Sequence, residues 1–320
     1  MKSHFGGLIM DKCSVVKMAI NHQETQQIPY CVDFTREALK HVRWRFPGRE
    51  FQLAIGNYVY QISPPWWTWH NVPENYGALE EPDFLPQTIG RGDYKGLFEK
   101  CRKIKERTGC YILAMFYGSH FEKAWFARGI DNFLCDLAGN RDYAKLMLDT
   151  IIRKNLVMLE NMLCCEDIDG VLLGSDWGSQ KSMLMSPVCW RELLAPGEKK
   201  EYDLIHAAGK DVWVHSCGCI EAILPDLIEM GVNVLNPLQP ECMDIFEIKR
   251  KYGDKLAFWG GISTQQTLPL GSPADVRRET REVITAMSKG GGYIAAPAQA
   301  IQEDVPVKNI LALMDELRKH

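Results

Sequence analysis

From about residue 110 onward the chain alternates short apolar runs with longer stretches of helical periodicity, and this alternation limits the fold more than any other feature. The runs are "CYILAMF" (110 to 116), "DGVLLGS" (169 to 175), "DVWVHSC" (211 to 217), "VNVLNPL" (232 to 238), "KLAFWGG" (255 to 261) and "GGYIAAP" (291 to 297). Each is short, partly β-branched or aromatic, and bounded by Gly, Pro or Asp. Strands buried on both faces of a parallel sheet have this character, because helices cover the sheet on either side.

The stretches between them carry helix signals. Ser186 stands ahead of Pro187 as a cap before a first-turn proline, and that helix runs on to "HAAGK", where Gly209 is a natural stop. Val307, Ile310, Leu311, Met314 and Leu317 share one helical face. Before residue 100, "FQLAI" (51 to 55) predicts a further strand and "REALKHVRWRF" a helix. Regular strand-helix alternation predicts a single (β/α)8 TIM barrel with an N-terminal helical extension, residues 1–320 forming one domain. An open doubly wound sheet is the alternative, but no G-x-G-x-x-G follows the first strand.

Composition narrows the function classes. A net charge of −4 and a pI near 6.1 offer no basic face for nucleic acid. No apolar run approaches the roughly 18 residues that span a bilayer. The opening "MKSHFGGLIMDKC" lacks a signal-peptide apolar region, and eleven cysteines without one do not read as a disulfide framework. A soluble protein in a reducing cytoplasm is expected, with most thiols, such as Cys164 and Cys165, serving as small apolar residues.

In such barrels chemistry collects at the carboxyl ends of the strands, here "GSDWGSQ", "HSCGC", "NPLQPEC", "GGISTQ" and "APAQ". Strand alternation points Trp213, His215 and Cys217 to one side, so the imidazole and the thiol can converge. H-x-C supplies two good zinc ligands; Cys219, Glu241, Cys242 and Asp176 are candidates for a third. The plainer alternative is a strand-end His bonded to the backbone beside a buried thiol. Asp176, between glycines past a buried strand, suits a general acid or base, a cation partner or a metal ligand, and equally a turn cap. Gln180 offers an amide nearby, and Gln239 and Gln299 end other strands as candidate substrate contacts. His120 and Glu122 follow "CYILAMF", which places them at the expected mouth, His120 as a catalytic candidate. The stretch "SPPWWTWHNVPENYG" (63 to 77) puts Trp66, Trp67 and Trp69 on an irregular loop able to roof a flat or apolar substrate, or to form a satellite core.

The stretches "AINHQETQQIPY" (19 to 30), "DWGSQKSMLMSPVCWRELLAP" (176 to 196), "VHSCGCIEAILPDLIEMGVNVLNPLQPECMD" (214 to 244), "KRKYGDKLAFWGGISTQ" (249 to 265) and "GGYIAAPAQAIQEDVPVKNI" (291 to 310) resemble the uroporphyrinogen decarboxylase superfamily, nearest to its cobamide-dependent methyltransferase branch. The resemblance implies a (β/α)8 barrel and suggests a dimer. The decarboxylases proper carry an Arg-rich P-x-W-x-M-R-Q-A-G-R-Y, where this chain has "IPYCVDFTREALKHVRWRF", and a Gly-His-Gly where it has Ala298-Gln299-Ala300. The methyltransferase branch binds one zinc through His, Cys and a later Cys, and His215 and Cys217 match the first two. The later Cys is replaced by the turn Pro297-Ala298-Gln299, and Gln is a poor zinc ligand; Glu241 is the first substitute, then Cys242, then Cys219.

The resemblance therefore implies a zinc-dependent methyltransferase moving a methyl group between a small methylated donor, for instance a methoxylated aromatic, and a corrinoid carried by a partner protein. His215, Cys217 and Glu241 would hold the metal, while Asp176 would orient substrate or manage a proton. The alternatives are a metal-free decarboxylase-like lyase with Arg36 or Arg91 as anion partners, and a non-catalytic barrel that binds a cobamide or tetrapyrrole.

Overall fold

The computed structural model describes residues 10–65 and 94–320. Its frame is one sheet of seven parallel strands in chain order: β1 (Val59–Ile62), β2 (Tyr111–Tyr117), β3 (Gly170–Gly174), β4 (Asp211–His215), β5 (Val234–Leu238), β6 (Ala257–Ile262) and β7 (Tyr293–Pro297). All six runs from residue 110 onward become strands, and helices occupy the intervals between them.

Side-chain alternation divides the core in two. Leu113, Leu172, Trp213, Val234, Trp259 and Ile294 pack together on the inner face of the curled sheet. Their sequence neighbours, among them Ile112, Val171, Val212, Leu235 and Phe258, pack outward against the helices. That partition is what a period of two dictates for a sheet buried on both sides.

The ring of backbone hydrogen bonds is completed by an extended segment before β1. Ala295 N–H of β7 donates to Pro29 O at 2.8 Å and Cys31 N–H donates to Ala295 O at 3.1 Å, while Tyr58 N–H donates to Tyr30 O at 3.0 Å. Where eight strands were expected, the described residues hold seven strands, and the place of an eighth is taken by isolated parallel bridges, Tyr30 to Ala295 and Phe34 to Ile301.

"FQLAI" is not a strand. Phe51–Ala54 is a helical turn whose Phe51 ring meets Phe34 and Phe46 edge-on at 5.2 and 6.0 Å, covering the N-terminal segment. A short apolar run is ambiguous between helix and strand. After the turn at Gly56 (φ 92°), the strand role falls to Val59–Ile62, whose Gln61 interrupts the apolar pattern.

"REALKHVRWRF" does begin as a helix, Arg36–Val42, and a further helix, Lys12–Ile20, precedes it. Ser186 caps its helix by accepting a hydrogen bond from Cys189 N–H, and Gly209 ends the segment at φ 69°. At the opposite end of the sheet from the strand carboxyl termini, buried Asp169 takes Lys105 and Lys17 as ion partners and accepts from Ile112 N–H at 2.9 Å. No described helix is long and apolar enough to cross a membrane.

Candidate metal centre

β4 ends at His215, two residues above the inner-core Trp213, so the imidazole stands at the top of the sheet's interior. The chain then turns at Gly218 (φ 84°), where a Cβ would come within 2.5 Å of backbone atoms of Gly178 and Ser179. The missing side chain lets the loop after β4 lie directly on the loop after β3. Cys219 N–H donates to Ser179 O at 2.8 Å, Trp177 N–H to Ser216 Oγ at 3.0 Å, and Cys217 N–H to Asp176 Oδ1 at 2.8 Å.

This docking gathers Asp176, His215 and Cys217, whose ligand atoms all lie within 4.8 Å of one another. His215 Nε2 is 3.5 Å from Cys217 Sγ and 3.6 Å from Asp176 Oδ1. Zinc bonds of about 2.0–2.1 Å to nitrogen and about 2.3 Å to sulfur, at a tetrahedral angle, set the N···S edge at about 3.5 Å. The residues therefore fit a tetrahedral ion with a fourth position left for substrate.

The imidazole is held in the form a ligand needs. Asn236 Nδ2 donates to Trp259 O at 3.2 Å, which turns its Oδ1 toward His215 Nδ1 at 2.6 Å. An oxygen there accepts, so the proton sits on Nδ1 and Nε2 keeps its lone pair facing Cys217 and Asp176. Burial lowers the His215 pKa, favouring the neutral ring, against the upward pull of Asp176. Burial, then the Asp176 charge, push the Cys217 thiol well above its ordinary range.

Gln299 Nε2 donates to Cys217 Sγ at 2.6 Å, so the residue at the turn after β7 touches the sulfur. Beside His215 lies a cavity of about 40 Å³ whose walls include Asp33, Tyr117, His215, Asn236, Trp259 and Gln299. The Tyr117 ring stands edge-on to His215 at 4.9 Å.

Other candidates fall elsewhere. Glu241 is not with His215 and Cys217: its Oε1 accepts from Ser263 Oγ at 2.6 Å and Gln265 N–H at 3.2 Å, so it fastens the loop after β6, and Asp176 takes the third place. His120 is not at the mouth. Its ring is fully buried, Nδ1 paired with Glu198 Oε1 at 3.0 Å, because the residue that starts the helix Phe121–Arg128 points back into the helical layer.

Glu122, one residue pair further on, accepts from Gly118 N–H at 3.2 Å and is raised to about 7 by burial and by Asp176. Gln239 is buried and accepts from Gly218 N–H at 3.2 Å, propping the loop after β4. Gln180 is exposed and accepts from Cys242 Sγ at 3.4 Å, while Cys219 and Cys242 lie outside the cluster. Trp66, Trp67, Trp69 and Arg91 lie outside the described residues.

Sequence reasoning passed over Asn236, Asp33 and Tyr117. Asn236 carried a signal, a polar residue inside the buried run "VNVLNPL", and it sits directly opposite His215 in register.

Over residues 63–320 the sequence matches the uroporphyrinogen decarboxylase (URO-D) family. Among solved structures, a methyltransferase from Methanosarcina mazei is similar at a TM-score of 0.74 and 18% identity, over 97% of this chain and 99% of that one; at such identity the likeness speaks for the fold alone. The apo form of 3-keto-D-glucoside 4-epimerase from E. coli gives a TM-score of 0.46 at 11% identity over 92% of this chain and 100% of that one, too weak to carry an argument. No curated protein matches the sequence.

Proposed function

The chain belongs to the uroporphyrinogen decarboxylase family, and from that premise we propose that it is a zinc-dependent methyltransferase, passing methyl from a small donor to a corrinoid on a separate protein. The observation that carries the reading is the convergence of Asp176, from the end of β3, with His215 and Cys217, from the end of β4, at zinc-like edges. The fold it shares with the Methanosarcina mazei methyltransferase agrees with it. The metal-free lyase reading lacks a comparable support: among the described residues no Lys or Arg lines the cavity where a carboxylate would need one.

A zinc ion held by these residues would supply Lewis acidity to the heteroatom that loses methyl. The chain's own residues do the rest. Asn236 fixes the His215 tautomer, so Nε2 is presented without a proton. Asp176 is anchored by Cys217 N–H, which keeps carboxylate and sulfur together. The Gln299 amide donates to the Cys217 sulfur, drawing charge from it, at the turn where the family pattern would bring a second thiolate.

Protein purified without chelator tests the proposal. About one zinc per chain is expected, lost in Asp176→Asn, His215→Ala and Cys217→Ala, together with methyl transfer to a reduced corrinoid protein. Zinc-free protein whose behaviour is unchanged by these substitutions sinks it.

A further inference from the structure

On the metal-centre reading above, we propose that the methyl donor is a small cation: an ammonium group seated against Asp33 and the Tyr117 ring, beside the oxygen or sulfur that gives up its methyl. The argument starts from charge. An ion of +2 with one carboxylate, one thiolate and a neutral imidazole sums to zero, so the centre itself selects neither sign. Asp33 adds a further negative charge to the same cavity, and among the described residues no Lys or Arg lines it to compensate. A methoxylated benzoate would set carboxylate against carboxylate there, so among the methoxylated aromatics that the family resemblance suggested the acids are disfavoured.

Asp33 has spent one oxygen on Phe34 N–H at 2.8 Å, and among the described residues no Lys or Arg pairs with it. Asp33 stands exposed at the cavity rim, where the surrounding protein still raises its carboxyl, so a cation arriving there is favoured. Its charge is also felt at the Tyr117 phenol, which places both groups in one electrostatic neighbourhood.

The Tyr117 side is the cavity's open wall, with that residue 52% exposed, and Trp259 lies opposite, buried, with its Nε1 fixed to Cys31 O at 3.0 Å. Aromatic faces beside a carboxylate bind alkylammonium groups and repel anions. Lys123, on the helix Phe121–Arg128, is buried with Glu122 and Glu201 acting on it, and does not enter the cavity wall. The cavity of about 40 Å³ admits one small head group at a time.

The reaction balances with the corrinoid already invoked. The bond from methyl carbon to oxygen or sulfur breaks, its electron pair stays on the heteroatom, and cobalt(I) provides the pair for the new carbon–cobalt bond, becoming cobalt(III). The ammonium group takes no part in the transfer.

Three near-isosteres separate the possibilities by charge: 2-methoxyethylammonium, 1-methoxypropane and methoxyacetate. Calorimetric titration of the zinc-loaded and zinc-stripped protein should rank the cation about tenfold tighter than the neutral ether, with the anion weakest. Asp33→Asn, which keeps the acceptor for Phe34 N–H, should flatten that ranking without altering zinc content, and Tyr117→Leu should weaken only the cation. Equal binding of all three, a preference for methoxyacetate, or a ranking that survives Asp33→Asn overturns the inference. Protein that takes up no zinc when offered it, yet keeps the ranking, sinks the metal reading and leaves the charge preference standing.

Discussion

Replacing Asn236 with Leu probes the metal centre without touching any ligand atom. The substitution removes the acceptor 2.6 Å from His215 Nδ1 and the donor to Trp259 O, both in buried surroundings. Two consequences follow. Leaving the His215 N–H and the Trp259 carbonyl without partners costs about 1–3 kcal/mol for each group in stability of the metal-free protein. The imidazole is also freed to carry its proton on Nε2 and to rotate, and loss of such an orienting partner lowers metal affinity about 10–100-fold, or about 1.4–2.7 kcal/mol.

Competition between the protein and a fluorescent zinc chelator measures the affinity, while urea unfolding of the stripped protein measures the stability term separately. Asn236→Asp, which keeps an acceptor toward Nδ1, should recover affinity even though it loses the Trp259 contact. An Asn236→Leu protein that folds and binds zinc within threefold of the unaltered chain refutes the tautomer argument, and with it the claim that Nε2 is presented for coordination.

Three further outcomes are expected. Gln299→Cys places a thiol where the amide now touches Cys217 Sγ, so zinc affinity should rise at least about tenfold and cobalt(II) substitution should give stronger sulfur-to-metal absorption; an unchanged spectrum means the turn after β7 cannot reach the ion. His120→Ala strands the buried Glu198 side chain, leaving it among the described residues the Tyr202 hydroxyl at 3.0 Å, and should cost about 3–5 kcal/mol by urea unfolding while the folded fraction keeps its zinc; loss of zinc would return His120 to the site. Asp275 is held at about 2 by hydrogen bonds from Ser272 and by Arg278, below its ordinary 3.8. A depressed carboxylate stabilises the fold fully above the unfolded value and loses that contribution as pH falls from about 4 toward 2. Ser272→Ala should move the Asp275 carboxyl titration, followed by NMR, back toward 3.8; no movement would dissolve the capping box as its cause.

Much of this was readable in the sequence because buried parallel strands and their caps leave local marks. Every run from "CYILAMF" to "GGYIAAP" became a strand, and the period of two placed His215 and Cys217 on one side. What stayed hidden depends on packing between distant segments. Glu241 and Asp176 both end strands, and only the loop docking permitted by Gly218 decides which carboxylate reaches the cysteine. His120 and Glu122 lie two residues apart, yet the start of a helix sends one ring into the helical layer and the other side chain to the mouth. "FQLAI" misled because its apolar residues cover the N-terminal segment, a contact no local pattern announces. Asp33 sits in a segment without strand character, and its place depends on the flanking bridges, Tyr30 to Ala295 and Phe34 to Ile301, the second of which has Ile301 N–H donating to Asp33 O at 2.9 Å.

The Tyr30 bridge has a consequence for how the chain is made. Tyr30 joins β7 to the start of β1, and Glu24 nearby accepts from Gly290 N–H across 266 positions. During synthesis the earliest segment has nothing to pair with on one side until the last strand has left the ribosome. Contacts of such separation are the slowest to form, because a long loop must close before they yield anything. Asp33 rides on that seam, so the cavity wall it supplies is completed last, and a nascent or truncated chain with every other strand in place would hold Asp176, His215 and Cys217 together but not the finished cavity.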